Sequence, residues 1–453
     1  MGKKLTLGIV FILTLFVVSS TVMAMDHSMF IKGPFDSGKD VTKKCISCHS
    51  EEAEDVQHSI HYQWEGKTST IKGNKNKSLG KKDDINGFCI STPANEQRCA
   101  QCHAGYGYGT EEFSFEDQTN IDCLVCHADL SKYKKAKKDW GRPDKSVDLV
   151  KAAQSVGQPT RENCLSCHAY AGGGNNVKEG DIEKELIHTN REYDVHMGTD
   201  GADMSCQSCH VTKDHKIPGR SIHVLGSEGT VTCAQCHTDK PHNSSNISKK
   251  ANATLNEHAQ TVACQTCHIP EFSKKSKTKM EWDWSAAGSK DADSKLKGNF
   301  VKRKNVKPTY LWYNGMSENY LVGDKINPDG PTILAKPVGS IEDKKSKIYP
   351  FKEFTSKQPA DAKYNQLITP HLFKGFWGHF DWDKALKAGA EAGGLKYSGE
   401  YTFETTKTFI GISHEVVPKE KALNCGSCHL GGDRIDFEAL GYEGDPMVKG
   451  GRN

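Results

Sequence analysis

Residues 99–103 read Cys99-Ala100-Gln101-Cys102-His103, and residues 123–127 read Cys123-Leu124-Val125-Cys126-His127. The same Cys-x-x-Cys-His pattern recurs at Cys45-Cys48-His49, Cys164-Cys167-His168 and Cys206-Cys209-His210. It returns at Cys233-Cys236-His237, Cys264-Cys267-His268 and Cys425-Cys428-His429. Two thiols one helical turn apart reach the two vinyl groups on one porphyrin edge, and the following histidine lies under the iron. A disulfide framework, a redox dithiol or a zinc ribbon would not demand histidine after every second cysteine. The eight motifs use sixteen of the seventeen cysteines. They therefore mark eight covalently attached c-type haems.

The rest of the composition agrees. Only 36% of the 453 residues are hydrophobic, and the mean hydropathy is −0.64. Such a chain builds a small side-chain core unless something else fills the middle, and eight large apolar discs would fill it. The expected fold is mainly α with extensive loops and few strands, a multihaem cytochrome c fold organised around a stack of eight haems. Lys3 and Lys4 precede an apolar run from Leu5 to Val18, and Val22-Met23-Ala24 follows. That reads as a signal peptide over residues 1–24, with an uncleaved N-terminal anchor as the alternative. The mature chain is expected in the periplasm with no stable membrane span. Removing Lys3 and Lys4 takes the formal charge from +3 to +1. Haem propionates would make the whole acidic, which argues against nucleic-acid binding.

Residues 25–453 read as a single octahaem cytochrome domain. Within it, 25–271 are haem-dense, 272–424 form an aromatic-rich wrapping segment, and 425–453 hold the eighth haem and tail. The wrapping segment carries Trp282-Asp283-Trp284, Tyr310-Leu311-Trp312-Tyr313 and Phe376-Trp377. A separate haemless domain is the alternative for that stretch. Helix is expected around each motif, over Asp148–Val156, and over Trp382–Ala392 before Gly393-Gly394. Lys72–Lys82 and Gly172–Gly174 read as loops.

Each iron has a second axial position, and twelve histidines lie outside the motifs. Seven haems with histidine on both faces would use seven of them and leave one iron for something else. Two further residues stand out. Cys89 is the unpaired cysteine, and the residues alone leave it open between a buried thiol and a reactive one. Lys178 follows the Gly172-Gly173-Gly174 run. By residue type it reads as a solvated loop lysine, although a buried neutral amine is able to bind iron.

At these residues the chain resembles the octahaem tetrathionate reductase family of multihaem c-type cytochromes, relatives of hydroxylamine oxidoreductase and octahaem nitrite reductase. The likeness runs through Phe30 to Phe35, Asn86 to Ile90, Cys102 to Gly107 and Asp122 to His127. It continues through the glycine run to Lys178, then Cys264 to Phe272 and Pro418 to Leu423. The resemblance implies a lysine-bound iron at the second motif, with Lys178 as that lysine and Asn86 and Cys89 beside it. Both His103 and Lys178 on one iron would leave no room for substrate. Either Lys178 replaces His103, or one of them leaves on turnover. The family pattern also marks His27, His61, His196, His215, His242, His258, His371 and His414, seven as distal ligands and one with another role. Asn175 departs from the acidic residue the resemblance leads one to expect.

The expected function is a periplasmic reductase that passes electrons to the haem of Cys99 and Cys102. Its substrate would be tetrathionate, nitrite or hydroxylamine, and its donor a periplasmic or membrane-associated redox partner. Catalytic roles fall to Lys178, Cys89, Asn86 and His103. A non-catalytic electron conduit and a hydroxylamine-oxidising enzyme are the alternatives.

Overall fold

The computed structural model describes residues 26–74, 76–88, 92–227, 229–288 and 297–452. The expected signal segment and Cys89 lie outside them. Local capping explains how the motifs are presented. Ser37 caps the helix Gly38–Ile46, which carries Cys45 at its end. Thr160 and Asn163 form a reciprocal capping box, so the helix Arg161–His168 holds Cys164, Cys167 and His168 together. The fifth and sixth motifs manage only single 3-10 turns, Cys206–Ser208 and Cys233–Gln235. Asp148 caps the helix Leu149–Gln154, and Asp381 caps Trp382–Ala392, which stops at Gly393.

The expectation of few strands is corrected here. A short hairpin pairs β1 (Glu65–Lys67) with β2 (Ser78–Gly80). The aromatic-rich segment then builds a mixed eight-stranded sheet. Its strands are β3 (Thr278–Ala287), β4 (Lys297–Arg303), β5 (Thr309–Tyr313), β6 (Met316–Asn319), β7 (Thr332–Val338), β8 (Lys347–Asp361), β9 (Gln366–Leu367) and β10 (Tyr401–Gly411). The main order is β4-β3-β8-β10-β7-β6, and β5 and β9 also pair with β8. β3 and β8 run parallel, as do β7 and β10. Period-two patterning accounts for this. Trp282 and Trp284 share one face of β3 and stack at 4.2 Å between ring centroids. The fold is therefore a haem-binding body of short helices and loops joined to a substantial sheet.

The central strand β8 touches the segment that leads to Cys89. Phe354 is fully buried and stacks on Phe88 at 3.9 Å between centroids. Trp284 Nε1 and Ser356 Oγ both donate to the Gly87 carbonyl, at 3.0 and 3.4 Å. A Cβ at Gly87 would sit 2.4 Å from Phe354 Cε1, so only glycine admits this approach. Replacing Phe354 by Ala should cost about 3–5 kcal/mol of stability. A lowered midpoint in guanidinium denaturation followed by far-ultraviolet circular dichroism would show it, and an unchanged midpoint would refute it.

Candidate functional site

The motif histidines are arranged in pairs with histidines from elsewhere in the chain. Ring centroids are 6.3 Å apart for His49 and His27, 6.4 Å for His127 and His215, and 6.1 Å for His168 and His61. They are 6.4 Å apart for His210 and His414, 6.2 Å for His237 and His196, and 6.1 Å for His429 and His258. Metal–nitrogen bonds of about 2 Å on both faces of one ion put two imidazole centroids roughly 6 Å apart. For His268, burial lowers the ring's pKa most, and His242 is the strongest charge acting on it. Six of the eight expected distal histidines thus stand at this spacing from a motif histidine, and His242 bears on His268 through its charge alone. His371 does not do so among the described residues; its ring lies against Gly375, and its backbone N–H donates to the Ala385 carbonyl.

The other ring nitrogens fit the same reading. His127 Nδ1–H donates to the Gly157 carbonyl at 2.9 Å, and His210 Nδ1–H donates to that of Pro218 at 2.6 Å. His429 and His414 donate to Asp445 at 2.5 Å and Asp181 at 3.2 Å. These bonds orient each ring and leave Nε2 for a metal.

The thiols of different motifs also meet, Cys45 with Cys123, Cys102 with Cys167, Cys164 with Cys206, and Cys233 with Cys264. Seven of the motifs line one continuous cavity of about 4670 Å³. A small-molecule pocket usually holds roughly 300–1,000 Å³. Paired imidazoles, abutting thiols and so large a shared void fit a row of covalent haems in near contact. The second motif joins that row through the fourth.

His103, the histidine of the second motif, is the exception. No histidine faces it at the paired spacing among the described residues. It lies instead against Trp64, 4.1 Å between centroids with the rings tilted by 39°, and meets Tyr108 edge-on. Its Nδ1 is buried without a hydrogen-bond partner among the described residues, and burial holds its pKa well below the usual value. Trp64 closes the one-turn helix Ile60–Gln63 at φ +62°, a conformation bulky residues seldom take. The same helix carries His61, the partner of His168. The buried Lys135 donates to the carbonyls of Ala100, His103 and Gly105 and pairs with Asp122 at 3.2 Å.

Lys178 lines the large cavity together with His103, Cys99 and Cys102. It also lines a small cavity with Asn86 and His223. Gly172, at φ +77°, lies where a Cβ would meet Lys178, Phe88 and Val177 within 3.0–3.2 Å. That glycine lets the Phe88 segment and Lys178 come together. Lys178 Nζ lies 4.0 Å from Glu179, whose carboxylate meets His223 Nε2 at 3.3 Å. Ser221 meets the other ring nitrogen at 2.5 Å. Burial pushes Glu179 up, but His223, Lys178 and Lys352 together hold it well below the usual carboxylate range. Glu179, His223 and Lys352 escaped the sequence reading. Only the adjacency of Glu179 to Lys178 could have hinted at them. Asn175 is occupied structurally: it donates to Ser276 and accepts from the Lys184 N–H, both at 2.8 Å.

Four similarities to known proteins bear on this site. A family model described as "Cytochrome c bacterial" matches residues 279–432, and one described as "Cytochrome c554 and c-prime" matches 44–128. An uncharacterised protein of Archaeoglobus fulgidus is 27% identical over 255 residues, 45% of this chain and 84% of that one. The crystal structure of an octahaem cytochrome c from Shewanella oneidensis superposes with a TM-score of 0.86 at 43% identity. The match covers 94% of this chain and 98% of that one. Among the described residues, no helix is long and apolar enough to cross a membrane.

The pairing makes a sharp prediction. Changing His258 to Gln should convert one low-spin haem to a high-spin one and leave the remaining electron paramagnetic resonance signals in place. An unchanged spectrum would separate His258 from the His429 haem.

Proposed function

Because this chain belongs to the octahaem c-type cytochromes, redox proteins with covalently bound haems, we propose that it is a reductase whose active site lies at the second motif. When bound, the haems supply one-electron transfer and, at that motif, an iron with a coordination position for substrate. Lys178 would hold that iron in place of His103. The substrate is a small sulfur or nitrogen compound, tetrathionate, nitrite or hydroxylamine, and the protein works in the periplasm beside a redox donor.

One observation carries this reading. Six motif histidines face a second histidine at 6.1–6.4 Å, whereas His103 is packed against Trp64 at 4.1 Å. A conduit has no use for such an exception. In this reading Lys178, with Glu179 and His223 behind it, would hold the iron, and the haem would supply the position where substrate is reduced. Asn86 offers an amide beside it, its own Oδ1 already accepting from the Phe88 N–H at 3.0 Å.

Tetrathionate asks for sulfur chemistry as well, and Cys89 supplies it. Its thiolate attacks a central sulfur and releases one thiosulfate, leaving an adduct in which the cysteine Sγ is bonded to the inner sulfur of an S–SO3⁻ group. Two electrons then cleave the bond between Sγ and that inner sulfur, free the second thiosulfate and regenerate the thiolate.

Reduced protein offered tetrathionate, nitrite and hydroxylamine side by side tests the reading. Turnover of at least one, with one haem that binds cyanide, is expected. Eight uniformly low-spin haems inert to all four would leave a conduit. Lys178→Ala should lose on the order of 10²-fold or more in kcat/KM. Cys89→Ala should abolish tetrathionate turnover while hydroxylamine turnover persists. Full tetrathionate activity in that variant would remove the covalent route.

A further inference from the structure

Lys352 has no exposed surface at all, yet it is a lysine in the middle of the sheet. A buried ammonium is costly unless every donor is used. Here Nζ donates to the Lys178 carbonyl at 2.6 Å, the Val177 carbonyl at 3.2 Å and Thr278 Oγ1 at 2.6 Å. It also lies 5.4 Å from the Phe88 ring centroid. Thus one side chain from β8 touches both parts of the candidate site, the Lys178 loop and the segment leading to Cys89.

The loop is shaped to receive it. Gly180 takes φ +100°, and a Cβ there would meet the Phe272 ring at 2.9 Å and Lys352 Cδ at 3.1 Å. The Val177 carbonyl is shared: it also accepts from the Lys279 N–H and from Thr278 Oγ1, both at 3.3 Å. The Lys178 carbonyl accepts from Lys352 at 2.6 Å, as close as Nζ comes to Thr278 Oγ1. That carbonyl belongs to the residue whose amine is assigned to the iron, so its placement fixes where the Lys178 side chain starts.

We propose that Lys352 is a positioning residue for the second-motif haem: its Nζ donors hold the Lys178 backbone in place and so set the reach and direction of the Lys178 amine. The inference rests on the assignment of Lys178 as an iron ligand. An apolar side chain of the same length would fill the space but could not bond the carbonyls. Packing and positioning are therefore separable.

The test compares Lys352→Met, Lys352→Arg, Thr278→Val and Lys178→Ala in the haem-loaded protein. The readouts are the electron paramagnetic resonance spectrum and hydroxylamine kinetics. Lys178→Ala should change the signal of one haem and defines the signature of lysine ligation. Lys352→Met should disturb that same signal, leave the other seven haems as they are, and lower kcat/KM on the order of 10²-fold. Lys352→Arg should restore part of both. Thr278→Val removes one contact of Nζ without touching the lysine, so it should move the same signal less, and it serves where Lys352→Met does not accumulate. Wild-type signal and kinetics in Lys352→Met, or in Thr278→Val where only that variant accumulates, beside a clear effect of Lys178→Ala, would make Lys352 mere packing. An unchanged signal in Lys178→Ala would instead fell the ligand assignment, and this inference with it.

Discussion

Two imidazoles about six ångströms apart, each on its own stretch of chain, are the constraint on which this architecture depends. A metal between them fixes distance and direction together, and the partners come from far along the sequence. His210 faces His414, and His258 faces His429. Each pair therefore closes a long loop, at an entropic cost that grows only slowly with loop length. Side-chain cores in the haem-rich part are small and separate, such as Leu165, Ala169, Leu186 and Tyr193. Such patches do not order so polar a chain by themselves. Burial of the haems is the natural remainder, since it removes large apolar discs from water.

The sheet answers a different demand. The imidazole pairs would hold the irons, but they do not hold the glycine-rich loop before Lys178 or the segment before Cys89. Both lean on β8, through Lys352 and through Phe354 stacked on Phe88. The backbone around the second motif is gripped from the other side by Lys135, which bonds the His103 carbonyl and pairs with Asp122. Two buried lysines thus hold the two stretches of backbone that meet at this motif. Backbone carbonyls offset the desolvation of both, joined by the Asp122 carboxylate at Lys135 and the Thr278 hydroxyl at Lys352.

The sequence discloses the parts of this arrangement that are local. Cys-x-x-Cys-His is contiguous, so all eight motifs are legible. Asp148 and Asp381 lie next to the helices they cap, and Gly393 stands where the second of those helices ends. The distal histidines are recognisable as a set, but which of them serves which motif depends on loop closures that no local pattern records. The sheet was signalled and misread: Trp282 and Trp284 two residues apart, and the long β-branched and aromatic run Tyr401–Gly411, alternate as strands do. Set among haem motifs, their aromatic content suggested a wrapping layer instead. Lys352 was invisible for a further reason. A lysine in a strand looks like a solvent-facing residue until the carbonyls that receive it are known.

The helix Ile60–Gln63 ties the two kinds of site together. One end supplies His61, which pairs with His168, and its C-terminal cap is Trp64, against which His103 lies. The His61 carbonyl also accepts from the Ala104 N–H at 3.0 Å, one residue beyond the second motif. Cys102 and Cys167 bring the thiols of the same two motifs into contact. On the proposed reading, the relay haem next to the active one and the displaced histidine of the active one share a single rigid turn. A shift that let His103 swing toward its iron would have to move Trp64, and with it the axial partner of the neighbouring haem. A return of His103 to the iron in place of Lys178 would therefore disturb the neighbouring motif as well. On that reading, packing of this kind would leave the position of His103 to Lys178.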